Sequence, residues 1–265
     1  MTCYTLFSGS SGNCIYLKKG RTELLVDAGG SMKQIDLALR SVGSGLDRID
    51  GILLTHEHSD HTKGIPMIVK HCSIPVYCQR AVAKELYLPL LSKSAQNAAA
   101  LAGCIRTVEP EEEYEIGDMV VTPFRTPHDS QDSQGFLIDD GLIGIATDLG
   151  HVSDSVDRYL SLCKNVILES NHDLKMLCEG PYPPYLKERV ASDFGHLNNV
   201  DSAAFSARLL KRGCRSFTLF HLSKENNTPE LALSQTRGAL CALGAEEGVD
   251  FSLRAASRFE VTRVL

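Results

Sequence analysis

The sequence lacks the features of membrane-spanning, secreted and disulfide-stabilised proteins. No apolar run approaches the length of a membrane-spanning helix, and the amino terminus has no basic segment followed by an apolar stretch. The nine cysteines are scattered singly, with no Cys-x-x-Cys pair. That pattern is typical of reduced, packed thiols rather than of a disulfide framework. We therefore expect a cytoplasmic protein that does not insert into a membrane.

The sequence also lacks an excess of basic charge. Its formal net charge is −6 at pH 7, which argues against a broad basic surface for long nucleic acid, although a local patch or bound divalent cations would still attract phosphates. No Pro- or Gly-rich linker, charge block or low-complexity segment divides the chain. We therefore expect a single domain, 1–265, with two pseudo-symmetric halves, roughly 1–105 and 106–265.

What the sequence does contain is a dense cluster of histidines. The segment Thr55-His56-Glu57-His58-Ser59-Asp60-His61 directly follows an apolar run. Alternate side chains of an extended segment share one face, so His56 and His58 point the same way. Asp60 and His61 follow as the chain turns over the strand end. Because histidine is the commonest transition-metal side-chain ligand, this spacing predicts a metal site rather than a solvated polar loop.

The order of the apolar segments predicts an α/β fold. Short strands at 2–7 and 13–18 open the chain, and a second series of strands opens at Arg106. Between the two series, 80–103 is expected to be helical with a break near Pro89. Two groups of strands, with helices between and among them, favour two sheets packed face to face with helices outside.

Further acids and histidines stand alone where apolar strands give way to loops. Such positions are usual for functional residues that a rigid scaffold holds in place. Each has an ordinary explanation as a turn former or a surface residue, but together they are able to close a site. They are Asp27, His128, Asp148 and His221.

Three other features have two readings each. The loop Ser8-Gly9-Ser10-Ser11-Gly12-Asn13 is a hairpin connection or an anion-binding backbone loop, and its spacing alone favours the hairpin. The cations at 208–215 form a solvated helix face or a phosphate-contacting patch, and the solvated face is favoured. His172 follows an apolar strand and either borders the pocket or does not.

With these residues assembled, the sequence resembles the metallo-β-lactamase superfamily over nearly its whole length. Asp27, the segment 55–61, His128, Asp148 and His221 match the five motifs of that family in order and rough spacing. The resemblance implies a four-layer αββα sandwich with a two-metal site on the exposed edge of its sheets. It also makes a site role for the loop 8–13 more plausible than its spacing alone does.

The resemblance implies two divalent ions, zinc, manganese or iron, held by imidazole and carboxylate ligands. Asp148 would bridge the two ions, and the other implied ligands are His56, His58 and His128 for one ion and Asp60, His61 and His221 for the second. Asp27 would orient the cluster through hydrogen bonds. Ser11, Asn13, His172 and Asn199 are the further residues that we expect in the surrounding shell or the substrate loop.

Departures within the superfamily indicate the reaction class. True lactamases commonly have a cysteine where this chain has Asp148, and the segment 126–130 does not match the glyoxalase arrangement. Several segments are similar to the YycJ/WalJ-like subfamily, which resembles bacterial metal-dependent DNA exonucleases and phosphodiesterases. These segments are 8–13, 147–150, 169–173, 195–199 and 221–227.

The implied function is therefore that of a metal-dependent phosphodiesterase acting on nucleic acid, foremost a DNA exonuclease that uses water activated by a dinuclear centre. His196 would contact the phosphate or give a proton to the leaving oxygen, and Asp60 would steady the water. The alternatives are hydrolysis of a small phosphodiester, a cyclic nucleotide or a thioester. A di-iron redox or sensor protein is a further alternative, although the sequence has no room for an electron-carrying partner domain.

Overall fold

The computed structural model describes residues 1–265, and their contacts form two compact units. The first unit consists of Met1–Pro123, Ser130–Gln134 and Ser257–Leu265, and the second of Phe124–Asp129 and Gly135–Ala256. The carboxyl terminus thus returns to the unit in which the chain begins. Each unit has a hydrophobic core of its own.

The first unit is built on a mixed seven-stranded sheet. Its strands are β1 (Thr2–Phe7), β2 (Cys14–Lys19), β3 (Thr22–Val26), β4 (Gly51–Leu53), β5 (Val76–Cys78), β6 (Ile105–Thr107) and β14 (Thr262–Arg263). They lie in the order β14-β1-β2-β3-β4-β5-β6, antiparallel as far as β3 and parallel from β3 to β6. A hairpin of β7 (Tyr114–Ile116) and β8 (Met119–Arg125) follows, and β8 passes into the second unit at Phe124.

The helices of the first unit begin at recognisable caps and pack apolar residues into its core. They are α1 (Met32–Ser41), α2 (Ser59–Thr62), α3 (Ile65–Cys72), α4 (Arg80–Lys93) and α5 (Ala95–Cys104). Ser31 and Gln34 form a capping box at the start of α1, which buries Ile35 and Leu39. The capping box therefore fixes the residue at which α1 begins.

The predicted helix break near Pro89 is wrong. Pro89 lies inside α4, and the chain breaks instead at Ser94, which has an extended backbone with φ −162° and ψ 104°. The Ser94 hydroxyl accepts a hydrogen bond from Asn97 N at 3.3 Å and so starts α5. Proline removes one backbone donor, which α4 tolerates, whereas the reversal between α4 and α5 needs an extended residue with a capping side chain.

The second unit is built on a largely parallel sheet. Its strands are β9 (Gln134–Ile138), β10 (Ile143–Ala146), β11 (Asn165–Glu169), β12 (Ser216–Phe220) and β13 (Ser252–Ala255), in the order β13-β12-β11-β10-β9-β8. Strands β10 to β13 are parallel to one another and β9 is antiparallel to β10. Its helices are α6 (Asp154–Leu160), α7 (Leu174–Glu179), α8 (Pro184–Ala191), α9 (Asn199–Lys211) and α10 (Pro229–Cys241).

Most of the cysteines lie in the interior of the protein. All nine cysteines are free thiols, and six of them are buried. Burial raises the pKa of Cys78 to about 12, as expected for a packed and unreactive thiol. None of the helices combines the length and the apolar character that crossing a membrane requires.

A buried carboxylate, Glu23 of β3, ties several parts of the first unit together. The Glu23 side chain is 1% exposed. Its Oε1 lies 2.8 Å from Lys18 Nζ and 2.8 Å from Arg48 Nη2. The carboxylate also accepts hydrogen bonds from the hydroxyls of Tyr16, at 2.8 Å, and Ser44. Burial by itself raises the pKa of Glu23, but its bonds to Lys18, Ser44 and Tyr16 more than offset that effect and lower it.

Glu23→Gln is expected to lower the free energy of unfolding at pH 7 by about 2 kcal/mol, or roughly 4–8 °C in Tm, because two half-exposed cations lose their counter-charge. Because the pKa of Glu23 is lower in the folded state, its ionised carboxylate stabilises the fold fully at pH values above the unfolded-state pKa. This stabilisation is lost as the pH falls through the folded-state pKa. The difference in Tm should therefore shrink at pH 3. Glu115→Gln removes an exposed strand carboxylate and is the control; equal Tm values for wild type and Glu23→Gln at pH 7 would contradict the prediction.

Candidate metal centre

The histidine cluster of the first unit starts where two parallel strands end side by side. Val26 of β3 pairs with Leu53 of β4, so Asp27 and Thr55 leave the sheet next to each other. The Asp27 carboxylate accepts hydrogen bonds from Thr55 N at 2.9 Å and from Thr55 Oγ1 at 2.9 and 3.0 Å. These bonds fasten the histidine segment to the sheet at its first residue.

Asp27 also orients His61. Its carboxylate lies 2.7 Å from His61 Nδ1, and since a carboxylate only accepts, the ring donates from Nδ1 and presents Nε2 for another partner. Burial raises the pKa of Asp27, although His61 and Thr55 act in the opposite direction. Asp27 is 2% exposed and has a φ of 61°, a left-handed conformation that is uncommon for residues other than glycine. This geometry supports the orienting role that the sequence predicts.

The predicted ligands of the first unit converge. The ring centroids of His56 and His58 are 4.7 Å apart, and those of His56 and His61 are 4.1 Å apart. Asp60 Oδ2 lies 3.5 Å from His61 Nε2. Asn13 Nδ2 donates to Asp60 Oδ2 at 3.2 Å and lies 3.0 Å from His61 Nε2. Imidazole nitrogens and a carboxylate oxygen gathered this closely form a donor set that fits a divalent metal ion.

The loop 8–13 is anchored to this cluster by its last residue. Asn13 N donates to Asp60 O at 2.7 Å, and Gly29 N donates to Asn13 O at 2.8 Å. The approach is so close that a Cβ on Gly29 would lie 1.7 Å from Asp60 O, so only glycine fits there. The loop is therefore a hairpin connection, as its spacing favours, and it also reaches the site through Asn13, whereas Ser11 is exposed beside a cavity.

A second group of ligand-type residues lies in the second unit. Parallel strands β10, β11 and β12 end level with one another, and the carboxyl edge of such a sheet is where α/β proteins carry their sites. Ligand atoms of Asp148, Glu169, His196 and His221 all lie within 4.8 Å of one another. Asp148 and His221 each have a φ of 56°, so two of these four residues are held in a strained backbone conformation.

Glu169, which sequence reasoning did not include among the site residues, organises this second group. Its side chain is fully buried, and Oε1 lies 2.8 Å from His196 Nδ1 and 2.9 Å from His221 Nδ1. Oε2 accepts hydrogen bonds from Leu149 N at 2.8 Å and from Leu197 N at 3.1 Å. A carboxylate at both Nδ1 atoms fixes the two rings with Nε2 as the nitrogen left for a metal or a substrate.

Glu169 stays ionised in this environment. Burial alone raises its pKa, but the charge of His196 and the hydrogen bonds from His196 and His221 bring the pKa down to about 2. The signal that could have found this residue is an acid that closes the buried apolar strand β11. A buried carboxylate in such a place needs partners of its own.

His128 is held by the backbone of the second unit. Its Nδ1 donates to Gly195 O at 3.0 Å, and its Nε2 lies 3.2 Å from Asp129 Oδ1 and 3.9 Å from Asp148 Oδ1. Burial lowers the pKa of His128, although Asp148 acts in the opposite direction. The neutral imidazole that results is the form that binds a metal.

The remaining predicted residues of the second unit contribute differently. His172 is 1% exposed, neither of its ring nitrogens has a hydrogen-bond partner, and burial lowers its pKa to about 4. Asn199, at the start of α9, accepts a hydrogen bond from Ser170 Oγ at 2.7 Å and donates to Asn227 Oδ1 at 2.9 Å. Asn199 thus joins a buried polar network beyond the end of β11 rather than bonding to a predicted ligand.

Glu169→Gln is expected to lower metal affinity or kcat by about 10- to 100-fold. The carboxylate accepts hydrogen bonds from both histidines and both backbone N–H groups through its two oxygens, whereas the amide has only one accepting oxygen. Metal affinity is measured by competition with a chelating dye, and kcat with bis-p-nitrophenyl phosphate. Glu179→Gln, which changes an exposed carboxylate of α7, is the matched control. Wild-type metal affinity and wild-type kcat in Glu169→Gln would show that this carboxylate does not position the site.

Known proteins match nearly the whole chain. The family model described as the beta-lactamase superfamily domain matches residues 22–221. The chain is 35% identical over 254 residues to the exodeoxyribonuclease WalJ of Streptococcus pneumoniae serotype 2 (strain D39 / NCTC 7466), covering 94% of this chain and 91% of that protein. It is 32% identical over 251 residues to the exodeoxyribonuclease YycJ of Bacillus anthracis, covering 94% and 92%. The crystal structure of the metallo-beta-lactamase fold protein YhfI from Bacillus subtilis aligns with a TM-score of 0.67 at 16% identity, covering 99% and 100%.

Proposed function

Since the chain belongs to the metallo-β-lactamase superfamily and has its fold, as its five motifs predict, we propose that it is a metal-dependent phosphodiesterase that degrades DNA as an exonuclease. One observation carries the proposal: the two relatives named as exodeoxyribonucleases each match 94% of this chain. The family model covers residues 22–221, which include both ligand groups and the strand ends that hold them. The donor set, which contains no cysteine, agrees with hydrolysis of a phosphodiester rather than of a β-lactam.

The centre is proposed to hold two divalent ions, zinc, manganese or iron. The proposed ligands are His56, His58, Asp60, His61, His128, Asp148 and His221. Divalent ions bound there would neutralise charge on the phosphate and lower the pKa of a water molecule. Asp27 and Glu169 fix the ring orientations on which this ligation depends, because each accepts a hydrogen bond from a ligand histidine at Nδ1.

His196 is proposed to act on the substrate. Its side chain is 18% exposed, against 1% for His128 and 3% for His221, so it is the histidine of the second group that a substrate can reach. With Nδ1 held by Glu169 at 2.8 Å, Nε2 is the ring nitrogen left for the substrate. A protonated Nε2 can contact a phosphate oxygen or donate its proton to the leaving oxygen.

Asp60 is proposed to serve both as a ligand and as the group that steadies the attacking water. Its carboxylate is 21% exposed and is fixed through Oδ2 by Asn13 Nδ2 at 3.2 Å. The proposed role of the loop 8–13 is therefore to hold the Asp60 carboxylate in place.

The free thiols also support a cytoplasmic location, in which nucleic acid would be the available substrate.

A substrate panel tests the proposal against its alternatives. Single-stranded DNA, duplex DNA, RNA, bis-p-nitrophenyl phosphate, a cyclic nucleotide and a glutathione thioester are each incubated with the manganese-loaded protein. Shortening of DNA from an end, with slower hydrolysis of bis-p-nitrophenyl phosphate, is expected. Turnover of the cyclic nucleotide or the thioester with intact DNA would favour a small-substrate hydrolase. Bound iron with reversible redox chemistry and no hydrolysis would favour the di-iron alternative.

A further inference from the structure

A cavity of about 650 Å³ lies in the first unit beside the loop 8–13. Its apolar walls include Phe7 at the end of β1, Leu37 of α1 and Phe259 in the carboxyl-terminal segment. Leu37 is 68% exposed and Phe259 is 72% exposed, so large apolar side chains stand uncovered at this cavity. Grouped exposed apolar side chains of this kind mark a binding surface rather than part of the core.

The cavity adjoins the proposed metal ligands of the same unit. Ser11 and Gly12 line it, and the next residue, Asn13, donates to Asp60 Oδ2 at 3.2 Å. Lys63 lines it as well and directly follows α2, the helix that carries Asp60. Residues that line the cavity therefore stand next to Asn13 and two to three positions from the proposed ligands His61 and Asp60 along the chain.

The aromatic wall of the cavity belongs to a hydrogen-bonded turn. In the turn 257–260, Glu260 N donates to Ser257 Oγ at 3.2 Å. Ser8 N donates to Arg258 O at 3.5 Å, which attaches the turn to the first residue of the loop 8–13. The phenyl ring at the tip of this turn is thus placed on a defined backbone although it is exposed to solvent.

The polar residues of the cavity suit a phosphorylated ligand. Lys63 and Arg258 supply two positive charges and Glu260 one negative charge, in a chain whose formal net charge is −6. Gln34 uses its amide oxygen to accept from Ser31 N and Oγ, which leaves its amide nitrogen as a donor for a ligand. An aromatic face with cations at its rim is the arrangement that binds the bases and the phosphates of a single strand.

We propose that this cavity is a base-binding subsite for a nucleotide next to the scissile phosphodiester, with the base stacked on Phe259 and a phosphate facing Lys63. The inference rests on the proposed nuclease function and adds the substrate form to it. A base that stacks on a side chain has left the helical stack, so the subsite favours single-stranded or frayed ends over paired ends. It tolerates every base, because each has an aromatic face.

Phe259→Ala tests the stacking contact. The KM for a single-stranded oligonucleotide is expected to rise about tenfold, the effect of losing one base–aromatic contact, with little change in kcat. Tyr185→Ala is the matched control, because Tyr185 is an aromatic residue of the second unit that is also 72% exposed. It is expected to leave KM unchanged.

Oligonucleotides with a single abasic position, moved stepwise from the end, locate the base. The wild type is expected to show the same rise in KM of about tenfold when the abasic position occupies the subsite, and Phe259→Ala is expected to be insensitive to it. Wild-type degradation of DNA without abasic sensitivity, and with an unchanged KM in Phe259→Ala, would overturn the subsite and leave the nuclease function intact. No degradation of DNA by the wild type would overturn the nuclease function and the subsite together.

Discussion

Asp148→Asn is expected to lose bound metal and phosphodiesterase activity together, with activity falling by roughly a thousandfold or more. Asp148 is 2% exposed, lies 3.2 Å from His221 Nδ1 and 3.9 Å from His128 Nε2, and accepts a hydrogen bond from Thr147 Oγ1 at 2.6 Å. Asparagine keeps the shape of this side chain but removes the negative charge of the proposed bridging ligand. It also tolerates the left-handed backbone at this position, which alanine does not.

The measurement is the metal content of each purified chain together with its activity on DNA. Asp140→Asn is the control, because Asp140 is another aspartate with a positive φ, 53°, but lies in an exposed turn between β9 and β10. It makes the same change of charge at a left-handed backbone position without altering a proposed ligand. Full metal content and full activity in Asp148→Asn would sink the assignment of Asp148 as a ligand.

His196→Ala is expected to keep its metal and to lose about 10²- to 10⁴-fold in kcat on DNA. Glu169 holds the His196 ring at 2.8 Å, and the His196 side chain is more exposed than those of His128 and His221. If His196 gives a proton to the leaving oxygen, the loss depends on the leaving group. The loss should therefore be much smaller with bis-p-nitrophenyl phosphate, since p-nitrophenolate leaves without protonation.

His151→Ala provides the control for this experiment, because His151 is an exposed histidine of the same unit whose Nδ1 donates to Asp193 O. Equal losses on both substrates in His196→Ala would assign it to phosphate contact rather than to proton donation. Loss of metal together with activity would instead make His196 a ligand. Unchanged kcat on DNA would remove it from the site.

Local sequence signals predict much of the fold. The strand expected at 2–7 is β1, Thr2–Phe7, and the helical segment expected at 80–103 corresponds to α4, Arg80–Lys93, and α5, Ala95–Cys104. These elements depend on apolar patterning and on helix caps, and a few consecutive residues determine both. The break near Pro89 is wrong because the position of a helix reversal depends on how two helices pack, and not on the residue with the poorest helix propensity.

The site is predictable to a different extent in its two units. The cluster at 55–61 is readable because its ligands are neighbours in sequence. Glu169 escapes notice because its importance comes from the parallel register of β11 and β12, which places it level with Phe220 and beside His221. That register joins residues about fifty positions apart, and no local pattern encodes it.

The cavity beside the loop 8–13 could not be foreseen either. Phe259 reaches this loop only because the carboxyl-terminal segment returns to pair β14 with β1. The positive φ angles of Asp27, Asp148 and His221 cannot be predicted from the sequence either, since aspartate and histidine adopt right-handed and extended backbones more often than left-handed ones. Strain at three strand ends is thus a structural property of this site.

The central claim is that this chain is a metal-dependent DNA exonuclease. Single-stranded and duplex oligonucleotides labelled at one end or the other, with and without a 5′ phosphate, are incubated with manganese, zinc or a chelator. A ladder of products that starts from one end, requires the metal, and disappears both with chelator and in Asp148→Asn is the expected result. Products cut internally, degradation that persists in chelator, or intact DNA under every metal condition would contradict the claim.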